Sequence, residues 1–332
     1  MDAVETLVWG GSVPLAFVLA ASDVATLHPP SARYVLAPRV AYLPQLVESA
    51  LAVFQQAVAP AGGGNSGKGS GKGGEQHVWF EAGGVPLKWQ LPVGVLVDAV
   101  RAHAPGEISL PLTIVVHFHN FPSDALMRYE GQHAARRAYV NVLKQSACLH
   151  FGSAKPVLTG LSQVQQEQMW GAIATGNHAQ FWSCNDALHG ARCPTPARRR
   201  CIRIVSVKSS LPGGGGHGGF FSGSSMGNSG GGAGFRIRAV LCPFDEESAG
   251  GKDNAESTTS DQGGAEKSDG VAAATTTIGE FLQSYESGDG GRNDQENQTV
   301  IVHGVEVPLT ASVADIHERM ASADNCLYLI VN

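Results

Sequence analysis

A chain of 332 residues with 43% hydrophobic content can build two or three compact units, and a net charge of −6 excludes a nucleic-acid protein with a generally basic surface. The six cysteines include no Cys-x-x-Cys pair, and no apolar run reaches the ~20 residues of a membrane-spanning helix. Free or buried thiols in a reducing, cytosolic setting follow.

Val13–Ala21 is apolar, but Asp2 and Glu5 precede it with no Lys or Arg, the wrong charge for a secretory leader. Leu7–Trp9 and Pro14–Leu19 read as strands around the Gly10-Gly11 turn. Leu43, Leu46, Val47, Ala50, Leu51, Phe54 and Val58 keep helical spacing, with Pro44 suited to a first turn. Val78–Phe80 and Val85–Gln90 form a hairpin through Gly83-Gly84; a helix over Pro92–Ala102 and a β-rich run over Leu112–Phe118 follow. The order is strand, strand, helix, strand, strand, helix, strand.

Ser123–Gly190 changes character. Tyr139, Val142, Leu143, Ser146 and Leu149 share a helical face, and Ser162 with Gln165 makes a capping box. Asn177 caps a further helix carrying Phe181, Trp182, Asn185 and Leu188, while Lys155, before Pro156, falls in a loop. The first pattern then returns. Cys201–Val207 and Phe235–Leu241 are strands, Thr277–Tyr285 is a helix with a Thr277/Glu280 box, and Thr299–His303 and Val305–Leu309 are strands. Ser312 and Asp315 start a helix to Ala321, and Cys326–Val331 closes. GGVPL (83–87) and VEVPL (305–309), each before a helix, mark an internal repeat. The expected fold class is α+β: two β-grasp halves around a helical middle.

Twenty of the 42 glycines fall within 62–74 and 213–234. These tracts, with the polar runs 245–274 and 286–297, bury too little apolar surface to offset the entropy of ordering and read as insertions. Gly62–Lys68 imitates a phosphate loop, but Gly69 replaces the hydroxyl residue that holds magnesium, and no strand-to-helix turn frames it. Gly223–Gly227 and Gly227–Gly231 imitate nucleophile elbows, and Gly213, Gly215 and Gly218 a dinucleotide fingerprint, without the packed turn each requires. His178, Cys184, His189 and Cys193 lack the paired spacing of structural zinc. Neither metal nor cofactor is expected. The Arg198, Arg199, Arg200, Arg203 run flanks a strand or meets anionic groups. No carboxylate pair or His/Cys dyad stands out, and the chain ends Leu-Ile-Val-Asn without the glycine that a ubiquitin-like modifier conjugates. A scaffold is expected rather than an enzyme.

VWFEAGGVPLKWQLPVGVLVDAV (78–100) resembles the signature of the autophagy protein 5 family. YVLAPRVAYL (34–43), TIVVHFHNFP (113–122), QMWGAIATGNHAQFW (168–182), VIVHGVEVPL (300–309) and DNCLYLIV (324–331) fit the same family in order. The resemblance implies two ubiquitin-like β-grasp domains flanking a helix-rich domain. The divisions are 1–121 with an insertion at 61–76, 122–195, and 196–332 with insertions at 211–234, 245–274 and 286–297. It further implies a non-catalytic autophagy scaffold. One lysine accepts the C-terminal glycine of autophagy protein 12 through an isopeptide bond, delivered by E1 and E2 enzymes. The conjugate joins autophagy protein 16 and acts as an E3-like factor in lipidation of autophagy protein 8. The implied location is cytoplasmic and peripheral at the phagophore membrane.

Aligning the motif blocks places the acceptor at Lys144, in AYVNVLKQSAC; a solvated surface lysine is the plain alternative. Arg39 matches a partner-facing arginine for autophagy protein 16, with an ion pair inside the fold as the competing reading. Trp89, with Trp79, is a candidate binding aromatic or a core residue, and the arginine run a candidate membrane contact.

Overall fold

The structure, a computed structural model, describes residues 3–58, 77–104, 106, 109–189, 199–208, 234–243, 276–287 and 298–332. The phosphate-loop, elbow and dinucleotide imitations lie outside these residues, as does Arg198. The four expected insertions overlap them only at Gly234, which opens a strand, and at Glu286 and Ser287, which close a helix.

Helix α1 is Ala3–Gly10, where a strand over Leu7–Trp9 was expected. Three apolar residues cannot distinguish a period of 2 from 3.6. Packing decides: Val8 and Trp9 are buried, with the Trp9 ring 4.6 Å from Phe181. The first β-grasp unit comprises β1 (Ser12–Leu19), β2 (Arg33–Pro38), α2 (Leu43–Phe54), β3 (Trp79–Ala82), β4 (Val85–Pro86), α3 (Val93–His103) and β5 (Leu112–His117). The seven-element order recurs with different members: β1 takes the first strand place, and β2, over Arg33–Pro38 where no strand was expected, takes the second. The sheet runs β2-β1-β5-β3-β4, with β1 and β5 a parallel central pair. Leu15, Phe17, Ile114 and Val116 share a buried cluster with Val47 and Phe54 of α2.

The helical unit comprises α4 (Gln132–Phe151), α5 (Lys155–Gly160), α6 (Gln163–Thr175) and α7 (His178–His189). Lys155 opens α5 instead of lying in a loop, because Pro156 is compatible with a first turn, where its missing N–H goes unused. Ser162 and Gln165 form the expected capping box, and Asn177 Oδ1 accepts from Gln180 N at 3.1 Å. Such caps contribute about 1 kcal/mol each.

The second β-grasp unit repeats the first: β6 (Arg199–Lys208), β7 (Gly234–Pro243), α8 (Ile278–Ser287), β8 (Val300–Val302), β9 (Val305–Glu306), α9 (Val313–Met320) and β10 (Leu327–Val331), ordered β7-β6-β10-β8-β9. Thr277 N and Oγ1 donate to Glu280, as the capping box predicts. The repeat itself needs a correction. Leu87 N donates to Phe80 O and Val307 N to Val300 O, both at 2.8 Å. The left-handed pair Gly83-Gly84 therefore matches His303-Gly304, and Val85 matches Val305. The Val-Pro-Leu echo is two residues out of step, a slip that keeps every side chain on its own face and so goes unnoticed in sequence.

The two units share a core. Cys201, Val205, Cys326, Tyr328 and Ile330 join the cluster containing α3, while Ile202, Ile204, Leu327 and Leu329 pack with Ile278, Phe281 and Leu282 of α8. Both faces of β10, and of β6 over Cys201–Val205, are buried, and Leu-Tyr-Leu-Ile-Val is accordingly apolar without alternation.

Candidate functional site

Helix α4 is the spine of the site. Gly131 precedes it at φ 93° and Gly152 follows at φ 74°, so both ends use conformations that glycine adopts freely. Ala135, Tyr139, Leu143, Ser146, Ala147 and His150 form its buried stripe; Val142 and Leu149, expected there, are half-buried. The Tyr139 ring lies 5.8 Å from Tyr42 and 5.4 Å from Trp170, joining the first β-grasp unit to α6. Gln45 Nε2 adds a bond to Trp170 O at 2.7 Å, and Gln132 Nε2 one to Pro44 O.

The inner side of α4 grips the turn before β10. Tyr139 OH donates to Ala323 O at 2.9 Å, Ser146 Oγ to Asn325 O at 3.1 Å, and His150 Nε2 lies 3.0 Å from the same carbonyl. The amides of Asn185 and Asn325 bond reciprocally at 3.2 and 3.0 Å. Tyr328 OH donates to Asp324 Oδ2 at 2.6 Å. Burial pushes the Asp324 carboxyl above its ordinary range, and the Arg203 guanidinium opposes that shift. Arg203 also lies 5.8 Å over the Tyr328 ring. This network joins residues over 100 positions apart, and the sequence offered only the DNCLYLIV block as a pointer to it.

Lys144 stands beside the buried stripe, half-buried, between buried Leu143 and exposed Gln145. Of the other lysine side chains described, Lys155 is exposed at the start of α5, and Lys88 is half-buried in the first β-grasp unit. Burial holds the Lys88 amine below the usual lysine range.

Arg39 lies at the seam between the β-grasp units. Its Nη2 donates to Asp98 Oδ2 and, at 3.3 Å, to Gly94 O. A Cβ on Gly304, in the β8–β9 turn, would sit 3.2 Å from both guanidinium nitrogens Nη1 and Nη2. Burial pushes Asp98 up, and Arg39 pulls it back. The guanidinium is committed to this seam, so the geometry is that of the ion pair inside the fold.

Trp89 as an exposed binding aromatic is overturned. It is 3% exposed, its Nε1 donates to Met127 O at 2.8 Å, and its ring packs 5.8 Å from Tyr129. The connection between the first β-grasp unit and α4 covers it. Trp79 is likewise buried, stacked 3.8 Å on His117. Arg199 and Arg200 open β6. Among the described residues no group of three His, Cys, Asp or Glu is arranged to hold a metal ion, and no helix is long and apolar enough to cross a membrane.

Three family models match in chain order: autophagy protein ATG5, UblA domain, over 8–118; its alpha-helical bundle region, over 132–190; and its UblB domain, over 262–331. Autophagy protein 5 of Oryza sativa subsp. japonica is 37% identical over 170 residues, covering 51% of this chain and 40% of the rice protein. The matched segment thus spans less than half the length of that relative. Autophagy protein 5 of Emericella nidulans is 25% identical over 351 aligned positions, covering 100% of this chain and 97% of its own. The crystal structure of Kluyveromyces marxianus Atg5 superposes with a TM-score of 0.65 at 16% identity, covering 100% of both chains, a likeness of fold.

Proposed function

Because the chain belongs to the autophagy protein 5 family, we propose that it is a non-catalytic autophagy scaffold whose Lys144 accepts autophagy protein 12. The Lys144 amine attacks the thioester carbonyl that joins the modifier's terminal glycine to its E2 enzyme. The C–N bond forms, the C–S bond breaks, the E2 thiol leaves and the amine's proton passes to solvent. Activation belongs to the E1 and E2, so the chain needs no base of its own. The conjugate, with autophagy protein 16, then acts as the E3-like factor for lipidation of autophagy protein 8, peripheral at the phagophore membrane.

The observation that carries this reading is the seat of Lys144. It lies within a 20-residue helix pinned to the first β-grasp unit through Tyr139 and to the second through Ser146. A modifier attached there rides on a rigid element touching both flanking units. Reconstitution with the E1, E2 and modifier tests it. Lys144→Arg should abolish the heavier conjugate band, while Lys88→Arg and Lys155→Arg should retain it. Persistence of the band in Lys144→Arg overturns the assignment.

A noncovalent adaptor is the second reading, favoured by Tyr34 (72% exposed) and Leu36 (69%) on edge strand β2. It predicts co-elution of partners with no heavier band.

A further inference from the structure

Cys201 and Cys326 are 125 residues apart in sequence and adjacent in space. Cys201 lies on β6, Cys326 immediately precedes β10, and the parallel register Leu327–Ile202 brings the two cysteines to facing positions. Neighbouring strands run ~4.8 Å apart, within the ~4.4–6.8 Å Cα separation that a disulfide spans. Both side chains enter the core shared with the first β-grasp unit, and both are free thiols. Their Sγ atoms stand 2.7 Å apart, against ~2.05 Å in a bonded pair.

The surroundings differentiate the two sulfurs. With Cys326 as donor, its S–H holds the Cys201 thiol below the usual range, and the Arg203 guanidinium acts in the same direction. Burial pushes Cys326 up. The two sulfurs, both fully buried, thus differ in acidity: Cys201 is the more acidic and Cys326 keeps the proton. Acceptance of a modifier at Lys144 uses neither.

We propose that Cys201 and Cys326 form a redox-modification site that closes to a disulfide, stapling the last strand of the second β-grasp unit to its first. With hydrogen peroxide as oxidant, the Cys201 thiolate attacks one oxygen; the O–O bond breaks, leaving a sulfenic acid and hydroxide, which takes up a proton as water. The Cys326 sulfur then attacks the sulfenic sulfur, its proton leaving with the departing hydroxyl as a second water. Two thiols lose two electrons and two protons, and one peroxide becomes two waters. A dithiol reductant restores the pair. The bond would fix Cys326 directly after Asn325, the residue that Ser146 and His150 hold, and so stiffen the seat of α4.

The test is peptide mapping of the purified full chain after peroxide treatment in its folded state. Thiols are blocked with N-ethylmaleimide on denaturation, and digestion omits reductant. The expected product is one linked peptide pair joining Cys201 to Cys326, two hydrogens lighter than the separate peptides and cleaved by dithiothreitol. Cys148→Ser, removing the exposed thiol of α4, should leave that product unchanged. The oxidised protein should melt higher, by on the order of 5 °C. Recovery of Cys201 and Cys326 as blocked thiols while Cys148 is oxidised overturns the proposal. So does linkage of either to Cys193 or Cys242, or a product that forms only when urea is present during oxidation. The readout is on the unaltered chain, so no variant has to fold for the outcome to count.

Discussion

Helices α3 and α9 occupy the same place in two copies of one topology, yet their sequences have little in common. In α3 every residue from Val93 to Ala102 except Arg101 is buried; in α9 only Val313 is. The cause lies outside each unit. One side of α3 packs on its own sheet, and the other meets β6 and β10 of the second, so it is buried on both sides and apolar there except for Asp98, which Arg39 pairs. Helix α9 has its own sheet on one side and little beyond α1 elsewhere, so Asp315, Glu318 and Arg319 are tolerated. The open faces of the two sheets differ correspondingly. That of the first unit presents Tyr34 and Leu36 to solvent, whereas that of the second is buried through Val205, Tyr328 and Ile330. A fold repeated within one chain thus diverges residue by residue according to what covers each copy.

The largest expected effect comes from opening the seam between the copies. Arg39→Ala leaves the Asp98 carboxylate buried without its partner and removes the contact with the Gly304 turn. Breaking one side of such a pair costs about 3–5 kcal/mol. A urea titration should show a midpoint fallen accordingly, with both β-grasp units affected in one transition. Loss confined to below 1 kcal/mol would mean that the units stand independently and that the shared core contributes little.

A smaller effect follows from acid. His303, in the same turn, is depressed from 6.5 to about 4, first by burial and then by the Arg39 guanidinium; Nε2 lies 3.0 Å from Met320 O. Its folded pKa is below its unfolded value, so its contribution is complete above pH 6.5 and is lost as pH falls toward 4. The half-buried ring is partly screened by water, and the loss is ~2 kcal/mol. Thermal melts at pH 7, 5.5 and 4 should trace it, and His303→Asn should flatten that part of the profile. The matching position in the first unit is Gly83, which cannot titrate, so a response from this turn belongs to the second copy.

What the sequence disclosed was local or repeated. Ser162/Gln165, Thr277/Glu280 and Asn177 announce helix starts because a cap involves residues three apart. The helical spacing from Leu43 to Phe54 emerges for the same reason. The candidate site was less legible. Lys144 came from aligned motif blocks, since nothing in its own chemistry distinguishes it. Trp89 could be read either way until Met127 and Tyr129 were seen to cover it. Arg39 needed Asp98 and Gly304, residues 59 and 265 positions away. The Cys201–Cys326 contact and the Asn185–Asn325 amide pair are equally long-range and leave no local pattern.

The smallest effect isolates the seam most cleanly, because it compares one substitution at two matched positions. Gly84 (φ +77°) and Gly304 (φ +81°) both occupy the left-handed region, where adding a side chain costs about 1 kcal/mol. A Cβ on Gly84 meets nothing within 4 Å, whereas one on Gly304 meets the Arg39 guanidinium at 3.2 Å. Backbone strain cancels between the two alanine variants, and the remainder is the displacement of Arg39 from Asp98. Gly304→Ala should therefore be the more destabilised, by about 1 kcal/mol when a charge-assisted bond is weakened rather than broken. In an Arg39→Ala background the two glycine variants should cost the same. If the difference persists there, the Gly304 turn is held by something other than Arg39, and the seam must be assigned to the buried apolar contact of α3 with β6 and β10.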